Sequence, residues 1–252
     1  MTPEVSHRRP VTGLARELTL WANRRILWLA HHWLAVFNTF FFLYVGLPFL
    51  APILLAYGYT DAANILYNLY RATCHQLPSR SYFILGEQVA ICHRDVAIYA
   101  AFLLGGLGYG LVRPHLKPPQ VRWYVFFLWP IALDAGMQLA SDWLASGVSM
   151  GALWAIGLIA LGLTSAILHW FRYLTWHSYL YFLAGPLALI YLKYFGPYQS
   201  DLFRRTISGV IFGLASVWLA YPYLEDAFQD IRQQISDKLA RASRVDTPIS
   251  GR

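Results

Sequence analysis

Long apolar windows with charges only at their ends are the feature that most constrains this chain. A membrane-spanning helix requires about 20 mainly apolar residues, and six windows approach that length, at residues 33–57, 95–112, 122–139, 150–170, 178–192 and 206–223. Only 13% of the residues are charged, against about 25% in an ordinary soluble domain. The sequence therefore predicts an all-α fold, a polytopic transmembrane helix bundle of about six spans.

Two amphipathic segments flank the predicted spans. Residues 1–32 place leucines and tryptophans among arginines, which predicts an N-terminal helix lying in the membrane interface. Residues 224–252 repeat apolar side chains every three or four positions, which predicts a cytoplasmic amphipathic tail helix resting on the membrane or on a partner. The transmembrane domain between them covers residues 33–223.

The distribution of Lys and Arg predicts the orientation, because these residues accumulate in cytoplasmic loops. With the N-terminus inside, the inner segments hold more than twice as many Lys and Arg residues as the outer ones. We therefore expect a protein of the cell (inner) membrane with both termini cytoplasmic and the lipid bilayer as its partner. The basic residues flank apolar spans and form no separate basic domain, so nucleic acid is not an expected partner.

The predicted outer loop between the first two spans concentrates the reactive side chains. Cys74 and His75 begin it, and Cys92, His93 and Asp95 end it. A loop of this length closes easily, so the two halves can meet. One chemistry is a Cys74–Cys92 disulfide, structural or redox-active. A second is a metal site for zinc or another transition metal, with all five residues as candidate ligands. A third is a reversible dithiol, and the fourth possibility is a pair of inert cysteines.

A polar stripe inside the third predicted span is the second candidate feature. Asp134, Gln138 and Asp142 recur every four residues, so they share one face of a helix, and the stripe ends on the side of the cysteines. Arg204 and Arg205 begin the last span on that same side, and one of them is expected to pair with an acid of the stripe or the loop. Intramembrane carboxylates are costly, so Asp134 either stabilises the bundle or belongs to a proton, ion or substrate path.

Small residues in the second predicted span indicate close helix packing. Ala101, Gly105, Gly106 and Gly110 provide small-xxx-small spacings. The glycine run follows no strand and lies inside an apolar helix, so it is not a nucleotide-binding loop. No catalytic motif in the sequence names a reaction.

Four motifs in order resemble the uncharacterised membrane-protein family known as domain of unknown function 2085. They are "CHQLPSRS" at 74–81, "CHRD" at 92–95, "PIALDAGMQ" at 130–138, and "RTISG" at 205–209 with Gly213. The resemblance covers a core of about residues 70–140 and 200–215. The motifs contain the polar site candidates Gln76, Arg80, Arg94, Asp134, Gln138 and Arg205.

The chain departs from the family pattern at two places. Asp95 stands where the pattern has its third cysteine, so an implied Cys3His metal site becomes Cys2His with a carboxylate, or one cysteine pair remains for a disulfide. Residues 143–200 are predicted to insert a pair of spans, which suggests a surface for another membrane protein subunit. A non-catalytic assembly or scaffold subunit is therefore the alternative to a disulfide or metal site, and a small transporter using Asp134 is the third hypothesis.

Overall fold

The computed structural model describes residues 13–113, 115–170 and 176–246, so the outermost parts of both predicted flanking segments lie outside the described residues. Within these ranges the chain forms seven α-helices, which confirms the all-α bundle. They are α1 (Leu14–Ala56), α2 (Thr60–Arg71), α3 (His93–Val112), α4 (Val121–Ala145), α5 (Met150–Trp170), α6 (Trp176–Phe195) and α7 (Leu202–Asp246).

A short β-hairpin between α2 and α3 was not predicted. A 3-10 turn at Pro78–Arg80 leads into β1 (Ser81–Ile84), which pairs antiparallel with β2 (Glu87–Cys92). Leu85 and Gly86 connect the strands, with φ angles of 55° and 85°. Two consecutive positive φ angles are typical of the two-residue type I′ turn, whose twist suits a hairpin.

Both flanking segments are continuous with the spans beside them. α1 has 43 residues and α7 has 45, so each is about 65 Å long, roughly twice the hydrocarbon thickness of a bilayer. The apolar face of the tail was predicted to rest on the membrane or on a partner, and part of the tail packs on α1 of this chain. Phe228 stacks on Trp33 with ring centroids 5.5 Å apart, and the Arg232 guanidinium donates to the Ala30 carbonyl at 2.9 Å.

Four helices are long and apolar enough to cross a membrane. They are Leu14–Ala56, His93–Val112, Met150–Ile167 and Leu202–Ala242. The other two predicted spans correspond to α4 and α6, so the count of six is not confirmed. α4 has 25 residues but includes the polar stripe in its second half, and the apolar part of α6 among the described residues, Leu183–Phe195, is shorter.

Helices α3 and α7 pack closely through small residues. A Cβ atom built on Gly209 would lie 2.9 Å from Ala97 Cβ, and one built on Gly213 would lie 2.6 Å from Ala101 Cβ and 2.7 Å from the Ile98 carbonyl oxygen. These contacts follow the same order along both helices, so α3 and α7 run parallel. The close packing predicted for the second span is confirmed.

The end of the bundle opposite the hairpin is organised around Glu225 of α7. Its carboxylate accepts hydrogen bonds from Trp33 Nε1 at 3.0 Å, Arg113 Nε at 2.7 Å and Arg232 Nη2 at 2.8 Å. These donors join α1, the end of α3 and α7. We call this the Glu225 end, and the opposite end, with β1 and β2, the hairpin end. The start of α1 and the end of α7 both lie beyond the Glu225 end.

Replacing Gly213 with Ala should destabilise the bundle, because the added methyl group meets the backbone of α3 rather than a flexible side chain. Overpacking of this kind costs about 1–3 kcal/mol. Thermal unfolding of the detergent-purified protein measures the effect. The matched control is Gly108→Ala in α3, where an added Cβ has no neighbour within 4 Å. Equal melting temperatures for the two variants would contradict the close α3–α7 contact.

Candidate functional site

Two glutamines fix the loop that contains Cys74 against the hairpin. Gln76, at φ 51°, donates from Nε2 to the carbonyls of Tyr67 at 2.7 Å and Ala90 at 2.9 Å. Gln88 of β2 donates in return to the Gln76 carbonyl at 2.7 Å. Because Gln76 in the loop donates to a carbonyl of β2 and Gln88 of β2 donates to a carbonyl of the loop, the loop after α2 is held beside β2. Cys74 therefore lies next to the end of that strand.

The hairpin brings both cysteines and one carboxylate together. Cys74 Sγ, Cys92 Sγ and a carboxylate oxygen of Asp95 all lie within 4.8 Å of one another. The backbone N–H of Cys92 donates to Cys74 Sγ at 3.2 Å, and the Cys92 thiol donates to Asp95 Oδ2 at 3.2 Å. Cys74 is buried and Cys92 is half-buried, and the two sulfur atoms are not bonded to each other.

The two thiols have different electrostatic environments. The hydrogen bond with the Cys92 side chain lowers the pKa of the Cys74 thiol, and this effect outweighs burial. For Cys92, the same hydrogen bond, burial and the Asp95 charge act together and raise the pKa.

The two histidines of the predicted ligand set lie outside this group of three. His75 is exposed. His93 is half-buried and contacts the edge of the Tyr82 ring, with ring centroids 4.3 Å apart. Among the described residues, the structure thus assembles Cys74, Cys92 and Asp95 from the predicted ligand set and places neither imidazole with them.

Asp134 of the polar stripe is held by three side chains from three parts of the chain. Arg94, in the first turn of α3, forms an ion pair with its Oδ2 atom. Tyr198, in the loop before α7, donates from its hydroxyl to Oδ1 at 2.7 Å. Ser208 of α7 donates to Oδ2 at 3.4 Å. The Asp134 residue is only 7% exposed, so these contacts compensate for its burial.

The rest of the stripe continues toward the hairpin. Gln138 donates to Asp142 at 2.9 Å and accepts from the Ser200 backbone N–H at 2.8 Å and from Arg205 Nη2 at 3.3 Å. Asp142 also accepts two contacts from Arg80, at 2.9 and 3.0 Å. The stripe therefore links α4 to the 3-10 turn on one side and to the start of α7 on the other.

One of the two arginines that begin the last span was predicted to pair with Asp134, Asp142 or Asp95, and this prediction is wrong. Arg204 pairs with the exposed Asp201 at 3.6 Å, and Arg205 donates to Gln138 and to the Ser200 carbonyl. Arg94 and Arg80 pair with the stripe instead. Sequence patterns did not reveal the further contributors, Gln88, Tyr198, Ser200 and Ser208. Ser208 is within "RTISG", whereas Tyr198 and Ser200 are in a loop that follows no periodic pattern.

Comparisons with known proteins identify a related family. Residues 74–152 match a family model described as "Predicted membrane protein (DUF2085)". An uncharacterized protein of Methanocaldococcus jannaschii is 34% identical over 116 residues, which cover 43% of this chain and 73% of that protein. No solved structure matches the chain. The family match contains Cys74, Cys92, Asp95 and the whole of α4, whereas nearly all of α5 and all of α6 lie beyond it.

Replacing Asp134 with Asn should strongly destabilise the protein, because the half-buried Arg94 then loses its counter-charge. Removing one partner of a buried ion pair costs about 3–5 kcal/mol. The control is Asp201→Asn, which breaks the exposed pair with Arg204 and should cost about 0–1 kcal/mol. Thermal unfolding in detergent compares the two. Similar losses in both variants would show that Asp134 does not stabilise the bundle through Arg94.

Proposed function

The chain belongs to the DUF2085 family of predicted membrane proteins, and we propose that it is a membrane protein that holds a zinc ion at the hairpin end. The proposed protein ligands are Cys74, Cys92 and Asp95. The observation that supports this proposal is the convergence of their three ligand atoms within 4.8 Å of one another. Three side chains that converge in this way from a loop, a strand end and a helix start form a compact donor set.

The donor set suits zinc chemically. Zinc binds thiolates at about 2.3 Å and carboxylates at about 2.0–2.2 Å in a tetrahedral arrangement. Ligand atoms around such an ion are separated by roughly 3.5–4 Å, which the observed grouping permits with small side-chain movements. Three protein ligands leave a fourth position, as in zinc sites that keep a bound water.

Residue 95 keeps a third ligand side chain in the group. The family resemblance implies a cysteine at this position, and this chain has Asp95. A carboxylate cannot form a disulfide, but it remains a zinc ligand. A carboxylate in place of a cysteine therefore preserves the number of ligands of a metal site. The Asp95 carboxylate accepts a hydrogen bond from the Cys92 thiol, so it already lies beside one of the proposed thiolate ligands.

The proposed location of this site is the outer face of the cell membrane. Both ends of the described chain lie at the Glu225 end, and the Lys and Arg distribution favours a cytoplasmic position for them. The hairpin end would then face outward. A fusion reporter at the C-terminus tests this orientation.

Elemental analysis of the purified protein tests the metal proposal. We expect about one zinc per chain in the wild type, and loss of zinc in Cys74→Ser and Cys92→Ser because each removes a thiolate ligand. Asp95→Asn should weaken binding, measured by competition with a chelator. His75→Ala is the control and should retain zinc, because His75 is exposed and lies outside the group. Wild-type protein without a stoichiometric metal would reject this function.

A Cys74–Cys92 disulfide is the second candidate function, favoured by the 3.2 Å contact between the Cys92 N–H and Cys74 Sγ. Intact mass after denaturing alkylation, with and without prior reduction, separates the two candidates. Two adducts before reduction are expected for a dithiolate metal site. No adduct before reduction and two after it would establish the disulfide and exclude a dithiolate metal site in the isolated protein.

The assembly and transport hypotheses have weaker support. The inserted pair α5 and α6 lies almost wholly beyond the family match and packs through α6 on α4, so it is the surface that a partner subunit would use. Asp134 is fully engaged by Arg94, Tyr198 and Ser208. That engagement favours a structural role for Asp134 over a transport path.

A further inference from the structure

The hairpin end has more buried cationic and donor groups than its acceptors satisfy, and we propose that the excess forms a binding site for a phosphate-class oxyanion. Arg94, Ser200 and Arg205 would bind it. This site uses none of the proposed zinc ligands.

The balance of charge in the cluster is positive. Arg94 pairs with Asp134, and Arg80 pairs with Asp142. Arg205 is only 5% exposed, yet no carboxylate in the described part of the chain lies within ion-pair distance of it. Its two hydrogen bonds go to neutral oxygens, the Ser200 carbonyl at 3.0 Å and Gln138 Oε1 at 3.3 Å. A buried guanidinium without a counter-charge is costly, so an additional anion is the expected complement.

Two hydrogen-bond donors in the same cluster have no acceptor. Arg94 Nε and Ser200 Oγ are both buried and without a partner in the described structure. Ser200 Oγ lies near the Asp134 carboxylate, but it makes no hydrogen bond of acceptable geometry to it. Buried polar atoms without partners are rare in native proteins and often mark an absent ion or water. Both atoms can donate, so an acceptor-rich ligand satisfies both.

The surrounding backbone reinforces this preference for an anion. α3 and α7 are parallel and both begin at the hairpin end, so the partial positive charges of their N-termini lie on the same side. Arg94 and Arg205 belong to the first turns of these helices. Donors from two helices and a loop suit the several oxygens of a phosphate group better than the single edge of a carboxylate.

The proposed ligand would approach the cluster from the membrane face at the hairpin end. The side chains of Arg94 and Arg80 are 18% and 25% exposed, so part of each lies at the surface. Free phosphate and the phosphate group of an anionic lipid present the same oxygens at this position.

The test is thermal unfolding of the full chain in a neutral detergent. One titration adds inorganic phosphate against potassium chloride of equal ionic strength, and another adds phosphatidylglycerol against phosphatidylcholine. A ligand that binds only the folded state raises the melting temperature in a concentration-dependent way. We expect such a rise for the wild type in at least one titration.

Ser200→Ala is the decisive variant, because it removes a hydroxyl group that has no partner in the described structure. Its melting temperature without ligand should be close to that of the wild type, and its affinity for the oxyanion should fall about tenfold. Ser141→Ala is the matched control. It loses the hydrogen bond from the Tyr198 N–H at 2.8 Å, so it should be less stable without ligand but should retain the ligand-dependent rise.

A rise with inorganic phosphate that weakens in Ser200→Ala supports a site for free phosphate, and the same pattern with phosphatidylglycerol alone identifies a lipid headgroup. No rise in either titration overturns the proposal, as does a rise of equal midpoint in Ser200→Ala. The zinc content of Ser200→Ala should equal that of the wild type, because Ser200 is outside the group of Cys74, Cys92 and Asp95. Failure here is therefore distinguishable from failure of the metal proposal.

Discussion

The close approach of α3 and α7 is the contact on which the hairpin end depends. In a bilayer, helices associate mainly through van der Waals packing, and glycine lets their backbones approach closely. Gly209 faces Ala97 and the Arg94 carbonyl, and Gly213 faces Ala101. Because the helices are parallel, this packing sets their first turns side by side. Arg94 and Ser208 therefore reach the same carboxylate, that of Asp134 in the antiparallel α4.

The two ends of the bundle use their buried charges differently. At the Glu225 end, one carboxylate accepts hydrogen bonds from Trp33, Arg113 and Arg232, and these contacts join three helices. This shared carboxylate links the helices at that end. Both ends contain buried polar atoms without a partner in the described structure, Tyr221 Oη beside Trp33 at one end and Arg94 Nε and Ser200 Oγ at the other. The hairpin end differs in that it buries Arg205, a guanidinium without a carboxylate partner among the described residues. An unmatched buried charge costs stability, which supports the ligand-binding role proposed for that end.

Hydropathy and spacing predicted the long helices α1 and α3 to α7 and the polar stripe, because each is a property of a single segment, whereas the short, less apolar α2 was not predicted. The stripe's partners could not be predicted in this way. Arg94 pairs with Asp134, whereas Arg205 donates to Gln138, and these partners depend on how α3, α4 and α7 pack together, which no single segment specifies. Ser200 acts through its backbone in an aperiodic loop. The hairpin was missed because its strands are short and its turn uses Leu85 before Gly86, not the usual Asn or Asp.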